Sequence, residues 1–400
     1  MSAVVTRRVG DLCEQLRGVS YSKSDATLSN QAGYKAILRA NNITKHGLTF
    51  DDLVYVPDAC ISERQFLKAG DVVIAASSGS LDVVGKAARV ENDLAAGFGA
   101  FCKVLRPNSL VDAGYFAHFF QTSSYRRKIS SLAAGANINN LRNEHLDNLE
   151  IRVPSLPEQR RIADVLDKAD ALRAQRRAAI TKLDELLQSV FIEMFGDPVT
   201  NPRGWAIGSL NAHGSFKNGL NFGKGESGAT VRYVGVGDFQ SKAALDDFSS
   251  LAFIELNDLP AEDYFLHDSD LLFVRSNGNR ELVGRCMAVY PGMEKVTYSG
   301  FCIRYRIADV SLQSTYVAHL FRSVPFRRLI FQGGQGANIQ NINQQILSGL
   351  PIPIPDEGLQ RQFAAIVEKI GAQKQIMHRA AEKSNALFAS LQHLAFSGKL

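Results

Sequence analysis

The phrase GANINNL at residues 135–141 recurs as GANIQNI at residues 336–342, an offset of 201 positions. At the same offset, YFAHFFQTSSYRRKISSLAAGANINNL (115–141) aligns with YVAHLFRSVPFRRLIFQGGQGANIQNI (316–342). So long a self-match is typical of an internal repeat. The phrase therefore belongs to a much longer duplicated segment.

The repeat extends on both sides of this block. The same offset pairs LEIRVP (149–154) with LPIPIP (350–355) and QRRIADVLDK (159–168) with QRQFAAIVEK (360–369), and an offset of 199 pairs residues 71–90 with 270–289. Upstream, YKAILRANNI (34–43) matches VRYVGVGDFQ (231–240) only loosely. The chain is a tandem duplication of about 200 residues whose similarity fades toward the start of each copy.

Length and composition limit the kinds of protein that this chain can be. A chain of 400 residues exceeds one ordinary hydrophobic core, so two or more domains are expected, and 45% hydrophobic residues is usual for a folded chain. The net charge of +5 permits a nucleic-acid partner without establishing one. We expect no membrane span and no secretory leader, and hence a cytoplasmic protein. The five scattered cysteines indicate reduced thiols rather than a zinc site or disulfides: Cys13, Cys60, Cys102, Cys286 and Cys302.

The first 150 or so residues of each copy predict a mixed domain. Short apolar runs such as VVIAA (72–76) and LLFV (271–274), bounded by Ser, Gly and Asn, indicate buried strands. The segments 115–132 and 316–331 indicate helices. The expected fold class is α+β, with two similar globular domains.

A long helix is predicted at the end of each copy, at about 35 residues or roughly 50 Å. Apolar residues recur there at alternating spacings of three and four, the pattern of a coiled-coil seam, broken at Arg176 in the first helix and at Gln373 and Ser384 in the second. The predicted seam residues are Ile162, Val165, Ala169, Leu172, Ala179, Leu183, Leu186 and Val190, and then Phe363, Ile366, Ile370, Met377, Ala380, Leu387 and Leu391.

Two arrangements of these helices are possible. They can pair antiparallel, with the globular domains at opposite ends of a rod about a pseudo-two-fold axis, or each can pack separately on its own domain. We favour the pair. The predicted domains are residues 1–154, a central spacer helix over 155–196, a second domain over 197–355 and a C-terminal spacer helix over 356–400.

Sequence motifs for catalysis are missing. The chain has no Walker phosphate loop, no HExxH, no GxSxG and no Pro-Pro dipeptide of the kind amino-methyltransferases use. The stretch KNGLNFGKGESG (217–228) fits a flexible loop better than a phosphate cradle. We therefore predict a non-catalytic binding protein with two similar binding domains, no metal and no cofactor of its own.

The motifs resemble those of the specificity (S) subunit of type I restriction-modification systems. The resemblance covers the whole chain and is carried by GANINNLRNEHLDNLEIRVPSLPEQRRIADVLDKADAL (135–172), which leads to FGDPVTNPRGW (195–205). The second copy departs from it, with PDEGLQRQF (355–363) in place of PSLPEQRRI (154–162). The resemblance implies two target-recognition domains, each followed by a long spacer helix.

The resemblance also implies a division of labour. An S subunit reads double-stranded DNA, while two methylation (M) subunits transfer methyl groups from S-adenosylmethionine to adenine N6. ATP-driven restriction (R) subunits are further partners. The repeated phrase would lie where each domain meets its spacer helix. Asn137 and Asn338 would either fix that joint through side-chain hydrogen bonds or touch the DNA backbone.

DNA contacts are predicted where polar and basic residues follow a buried strand, because bases are read by polar side chains and phosphates by cations. The segments AASSGSLDVVGK (75–86) and VRSNGNRELVGR (274–285) fit best, although a solvated hairpin turn explains them nearly as well. The candidates are Ser77, Ser78, Ser80, Lys86, Arg275, Asn277, Asn279, Arg280 and Arg285, with Lys35, Arg39 and Arg232 as weaker ones.

Other interpretations stay open at this stage. The repeated arginines, Arg126 and Arg127 with Arg327 and Arg328, could clamp phosphates or form salt bridges on a helix surface. The chain could also be a scaffold rod that joins two proteins without touching DNA. A self-contained adenine methyltransferase is disfavoured by the missing motif. The expected function is recognition of a bipartite, asymmetric DNA site, one half for each domain.

Overall fold

The computed structural model describes residues 5–80, 82–134, 140–223, 225–239, 242–332 and 341–400. The first copy contains β1 (Val5–Arg8), β2 (Cys13–Arg17), β3 (Tyr34–Leu38), β4 (Ile43–Thr44), β5 (Gly47–Leu48), β6 (Val54–Pro57), β7 (Val72–Ala75), β8 (Ala87–Arg89), β9 (Ala96–Phe98), β10 (Cys102–Pro107) and β11 (Glu150–Val153), with α1 (Ala113–Phe119), α2 (Ser123–Ala134), α3 (Asn143–Asp147) and α4 (Leu156–Phe195).

The second copy follows the same order. Its strands are β12 (Ala206–Gly208), β13 (Gly214–Asn218), β14 (Ala229–Val234), β15 (Ala244–Leu245), β16 (Phe253–Leu256), β17 (Asp270–Val274), β18 (Cys286–Val289), β19 (Val296–Tyr298), β20 (Cys302–Ile307) and β21 (Ile352–Ile354). Its helices are α5 (Leu210–His213), α6 (Ser314–Leu320), α7 (Val324–Gln332), α8 (Gln344–Gly349) and α9 (Glu357–Ser397).

The larger sheets of the two copies share their strand order. The order β2-β10-β7-β8 in the first copy matches β13-β20-β17-β18 in the second, where β15 is added at the edge. The sheet β6-β3-β9 matches β16-β14-β19, including the parallel pair of β3 with β9 and of β14 with β19. The α+β prediction is confirmed, and the duplication holds even where the sequence match is loose.

The segments predicted as single helices, 115–132 and 316–331, each divide into two. In the first copy, α1 ends at Phe119, and the side-chain oxygen of Thr122 then accepts a hydrogen bond from the Tyr125 amide at 3.2 Å. Such a cap favours a fresh helix start over continuation. In the second copy Pro325 lies in the first turn of α7, where a helix tolerates proline.

The chain divides into two compact units whose boundary falls within both long helices. Unit 1 comprises Met1–Ala179 with Met377–Leu400, and unit 2 comprises Ile180–Ile376. Each unit thus contains one globular domain, the first part of one long helix and the last part of the other. Within the described residues, no helix has the length and apolar character needed to cross a membrane.

Aromatic side chains attach the end of a long helix to each domain. In unit 1 the ring of Phe396, on α9, lies 4.9 Å from the ring of Tyr115. In unit 2 the ring of Phe195, on α4, lies 4.9 Å from the ring of Tyr316. These are equivalent pairs of the two copies, so both domains hold the incoming helix in the same way.

A buried glutamine attaches the start of a long helix to each domain. The Gln159 side chain donates to the Pro154 carbonyl at 2.8 Å and accepts from the Asp112 amide at 2.7 Å. The Gln360 side chain donates to the Ser311 and Pro355 carbonyls at 2.9 and 2.8 Å and accepts from the Gln313 amide at 2.9 Å. Both glutamines therefore join the strand before the helix to the start of α1 or α6.

The long helices pair antiparallel in each unit, as predicted. In unit 1 the Arg173 Nε lies 2.8 Å from the Asn385 Oδ1, and its guanidinium lies 4.2 Å from the centre of the Phe388 ring. In unit 2 the Lys374 ammonium lies 2.5 Å from the Asp184 carboxylate. The middle of the seam is therefore partly polar.

The predicted seam is wrong at Leu172, Leu186 and Leu387, which are 53%, 45% and 60% exposed. Every other predicted seam residue is buried, as Ile162 and Phe363 are, or half-buried. A stripe one residue further on in each heptad also faces the partner helix. Its buried members are Leu166, Leu187, Phe388 and Ala395, and its half-buried members are Arg173, Ile180, Val367, Lys374 and Ala381. The sequence pattern missed it because Arg and Lys can bury their aliphatic stems while their charged ends stay solvated or paired.

The corrected seam predicts different outcomes for two neighbouring leucines. Leu187→Asp should place a carboxylate in a buried position and lower the free energy of unfolding by about 3 kcal/mol or more. Leu186→Asp, one residue earlier and exposed, should change it by less than about 0.5 kcal/mol. Denaturant unfolding of the two variants checks this, and equal destabilisation would contradict the placement of the seam.

Replacing the buried glutamine tests the attachment of the helix. Gln360→Leu should leave one amide and two carbonyls without partners, at about 1–3 kcal/mol each, and lower the Tm markedly. Gln362→Leu, the same change at an exposed position of the same helix, is the matched control and should leave the Tm nearly unchanged. If both variants melt like the unaltered protein, the anchoring role is wrong.

Candidate nucleic-acid interface

The two predicted DNA-contacting segments occupy equivalent places in the fold. Residues 75–86 connect β7 to the antiparallel β8, and residues 274–285 connect β17 to the antiparallel β18. The Gly85 amide donates to the Ala75 carbonyl at 2.8 Å, and the Gly284 amide donates to the Val274 carbonyl at 2.8 Å. Both glycines have positive φ, of 76° and 70°, which favours glycine there. We call these segments recognition loop 1 (75–86) and recognition loop 2 (274–285).

The last residue of the repeated phrase holds the first part of each recognition loop. The Leu141 amide donates to the Ala76 carbonyl at 2.7 Å, and the Ile342 amide donates to the Arg275 carbonyl at 2.7 Å. Asn137 and Asn338 lie outside the described residues, so their predicted role at the joint stays a prediction. The phrase nonetheless ends against the recognition loop in both units.

An arginine on the neighbouring helix braces each loop. Arg126 donates to the Val84 and Asp82 carbonyls at 2.9 and 3.1 Å. Arg327 donates to the Val283 and Glu281 carbonyls at 2.7 and 2.8 Å. Neither phosphate clamping nor a surface salt bridge, the two roles considered from sequence, describes these contacts.

In the second unit the bracing arginine, Arg327, is also partly buried. Desolvation, with Arg285 and Arg322 as the nearby cations, lowers the pKa of Arg327 to about 10, so the guanidinium remains charged at neutral pH. Its Cζ atom also lies 4.7 Å from the centre of the Phe331 ring. Arg127 and Arg328, the next residues, are exposed, and phosphate contact remains a prediction for them.

The side chains of the two loops differ on this shared backbone. Ser78 and Ser80 of loop 1 correspond to Asn277 and Asn279 of loop 2. The Asn277 side chain accepts from the Asn279 amide at 2.8 Å, and the Asn279 side chain caps a 3-10 turn over Arg280–Leu282 by accepting from the Glu281 amide. Loop 2 is therefore ordered by its own amide side chains.

The predicted cations of loop 2 have definite positions. Arg280 is exposed and its guanidinium lies 5.0 Å from the centre of the Phe331 ring. Arg275 points one nitrogen toward the Gly300 carbonyl at 3.5 Å. Arg285 donates through Nε to the Glu281 carbonyl at 3.1 Å. Three arginines and one glutamate give loop 2 a net charge of +2, which suits a polyanion.

Loop 1 is more weakly charged. Lys86 and Asp82 balance, so the loop has no net charge. Ser77 is half-buried and forms an isolated bridge with Asn140, as Ser276 does with Asn341 in the second unit. Ser78 is half-buried, Ser80 is exposed, and the Ser78 hydroxyl accepts from the Ser80 amide at 3.2 Å. Loop 1 would therefore contribute polar contacts to binding rather than cationic ones.

The three weaker candidates lie apart from the recognition loops, on or just after strands of the other sheet. Lys35, on β3, lies 3.9 Å from the Asp58 carboxylate. Arg39 follows β3 and donates to the Asp52 carbonyl at 2.6 Å. Arg232, on β14, is 2.6 Å from the Glu294 carboxylate. These partners already engage all three cations, which weakens the case for contact with DNA.

The described residues contain no cluster of three or more His, Cys, Asp or Glu side chains that could hold a metal ion. Sequence analysis singled out Arg126 and Arg327 but did not predict their contacts with the loop carbonyls, and DNA contact by the loops stays a prediction. The signal was present, because Arg126 and Arg327 are aligned with each other and their loops are aligned too. A surface helix alone gave no reason to expect that they contact backbone carbonyls.

Known proteins resemble the chain in sequence. A family model described as the type I restriction modification DNA specificity domain matches residues 1–182. The type I restriction enzyme StySPI specificity subunit of Salmonella potsdam is 32% identical over 418 residues, which cover 99% of this chain and 89% of that protein. The EcoKI specificity subunit of Escherichia coli is 32% identical over 407 residues, covering 96% and 86%.

Solved structures resemble the fold. A chain studied for complex assembly and conformational transition of the type I R-M system superposes with a TM-score of 0.57 at 16% identity, covering 100% of this chain and 99% of that one. The S subunit from M. genitalium superposes with a TM-score of 0.51 at 13% identity, covering 98% and 96%. These similarities concern the fold alone.

The bracing arginines predict a local effect on the loop. Arg327→Ala should remove two hydrogen bonds to loop 2, and amide hydrogen exchange over residues 279–285 should accelerate at least about tenfold. The adjacent Arg328→Ala is the matched control and should leave exchange in the loop unchanged. Unaltered exchange in Arg327→Ala would show that the loop is held without it.

Proposed function

Because this chain belongs to the specificity subunits of type I restriction-modification systems, we propose that it recognises a bipartite, asymmetric DNA site. It is a DNA-specificity subunit and not a catalytic one. In the proposal, the domain of unit 1 reads one half of the site and the domain of unit 2 reads the other. Bases that the protein does not specify separate the two halves.

The proposal that each domain reads its own half-site rests mainly on one observation. The recognition loops share their backbone hydrogen bonds but differ in the side chains they present, with serines in loop 1 and asparagines and arginines in loop 2. Base edges in the major groove are distinguished by such polar side chains. Two loops on one scaffold with different side chains suit two different half-sites.

We assign base contacts to the exposed ends of the loops. Arg280 is the strongest candidate, because an arginine can bond a guanine bidentately and Phe331 holds its guanidinium from one side. Asn277 and Asn279 already bond the loop backbone through their side-chain oxygens, which leaves their amide NH₂ groups as donors. Lys86, Arg275 and Arg285 lie where the loops join their strands, and these cations suit phosphate contacts.

The proposal includes partners that supply the chemistry. Two methylation subunits would bind the long helices, and restriction subunits would join them. S-adenosylmethionine and ATP would be bound by those subunits. The exposed leucines left outside the corrected seam, Leu172, Leu186 and Leu387, are available for such contacts. The assembly would act in the cytoplasm.

Exchange of one domain tests the proposal. Replacing residues 1–150 with the corresponding domain of a relative should change one half of the methylated sequence and leave the other half and the spacing intact. The measurement is a genome-wide map of methylated adenines in cells that carry the hybrid chain with its own methylation subunits. The unaltered chain is the control.

The competing models give different maps. A contiguous palindrome, or a hybrid that changes both halves together, would contradict one reader for each half. Methylation that is independent of this chain would favour a scaffold rod that does not read DNA.

A further inference from the structure

Each unit presents an exposed phenylalanine at the same place. Phe101 is 69% exposed and Phe301 is 61% exposed. Phe101 lies in the tight turn between β9 and β10, and Phe301 in the equivalent turn between β19 and β20. Single exposed apolar residues are common on protein surfaces. It is less common for an exposed aromatic ring to be retained at equivalent positions of two diverged domains.

The turn that carries each ring is held on the side of the recognition loop. The Phe101 carbonyl accepts from the Ala76 and Ser77 amides at 2.9 and 3.0 Å. The Phe301 carbonyl accepts from the Arg275 amide at 2.7 Å. In both units the phenylalanine backbone is therefore bonded directly to the first residues of the loop, so the exposed ring lies on the turn that borders the loop.

The opposite side of each turn is held by a close backbone approach. A Cβ atom added to Gly18 would lie 2.1 Å from the Gly99 carbonyl oxygen, and one added to Gly219 would lie 2.2 Å from the Ser299 carbonyl oxygen. The two glycines are equivalent, so each copy has a glycine where no side chain fits. The exposed ring is thus fixed on a turn that is supported from both sides.

In unit 2, the charge next to the ring favours DNA over a protein as its partner. In unit 2 the Arg275 guanidinium points at the carbonyl of Gly300, the residue just before Phe301, and loop 2 has a net charge of +2. Cations beside an exposed aromatic ring are the combination that binds a nucleic-acid backbone together with the faces or steps of its bases.

We infer that Phe101 and Phe301 are a pair of apolar DNA contacts, one for each half-site, that insert against the base stack. The inference rests on the proposed function and extends it to residues outside the predicted set. Loop side chains differ between the units whereas the phenylalanines do not. The rings therefore meet a feature common to both halves and add affinity without selecting a base.

The test uses the full chain together with its methylation subunits. Affinity is measured for the cognate duplex and for duplexes with each half-site base pair changed singly. Phe101→Ala and Phe301→Ala should each weaken cognate binding about 5- to 150-fold, the range for loss of one aromatic contact to a base. The ratio between cognate and changed duplexes should stay as it is. Phe50→Ala, which removes another exposed ring in unit 1, is the matched control and should bind normally.

A second readout reports insertion directly. 2-Aminopurine placed along each half-site should brighten at one step when the unaltered assembly binds, because insertion unstacks that step. Phe101→Ala should abolish the signal in one half only, and Phe301→Ala in the other half only. A merely structural role for the rings would leave this signal in place.

Several outcomes would overturn the inference. Binding by Phe101→Ala equal to that of Phe50→Ala would exclude a DNA contact. A loss confined to one base pair would indicate contact with a thymine methyl instead of insertion. Loss of methylation subunits from the purified variant would indicate a protein partner. If the unaltered assembly prefers no bipartite site, the proposed function itself fails, whatever the phenylalanines do.

Discussion

Two buried glutamines attach the long helices to the globular domains, and the rest of the architecture depends on that attachment. Gln159 and Gln360 each lie near the start of a long helix, and their side chains bond the carbonyl just after a strand and the amide just before another helix. A buried amide side chain must keep these partners or lose several hydrogen bonds together. The start of each long helix is therefore fixed to its domain, and the aromatic pair at the end of the other helix completes the attachment.

The sequence predicted the duplication, the α+β domains and the antiparallel long helices, because periodicity and self-similarity report directly on these features. It could not place the seam correctly. Leu172, Leu186 and Leu387 fit the apolar pattern but are exposed, whereas the half-buried Arg173 and Lys374 bond residues of the opposite helix. A pattern of apolar letters cannot show that a charged residue buries its stem and finds a partner on another helix.

The sequence predicted two candidate DNA-contacting segments from the Gly and polar residues that follow a buried strand. The structure gives both segments equivalent places in the fold, and their contact with DNA stays a prediction. The roles within them depend on contacts between residues far apart in the chain. Arg126 and Arg327 became braces because their loops pass beside the helix. Lys35 and Arg232 are weaker candidates for DNA contact because each already forms an ion pair, with Asp58 and Glu294 respectively.

The common backbone of the two recognition loops has an evolutionary consequence. Because aligned amides, carbonyls and glycines shape both loops, a segment copied from one half of the gene into the other would meet the same supporting contacts. Recombination within a single gene could thus exchange the residues that face solvent without disturbing the fold. A chain built in this way can diversify from its own duplicate, with no donor from another strain.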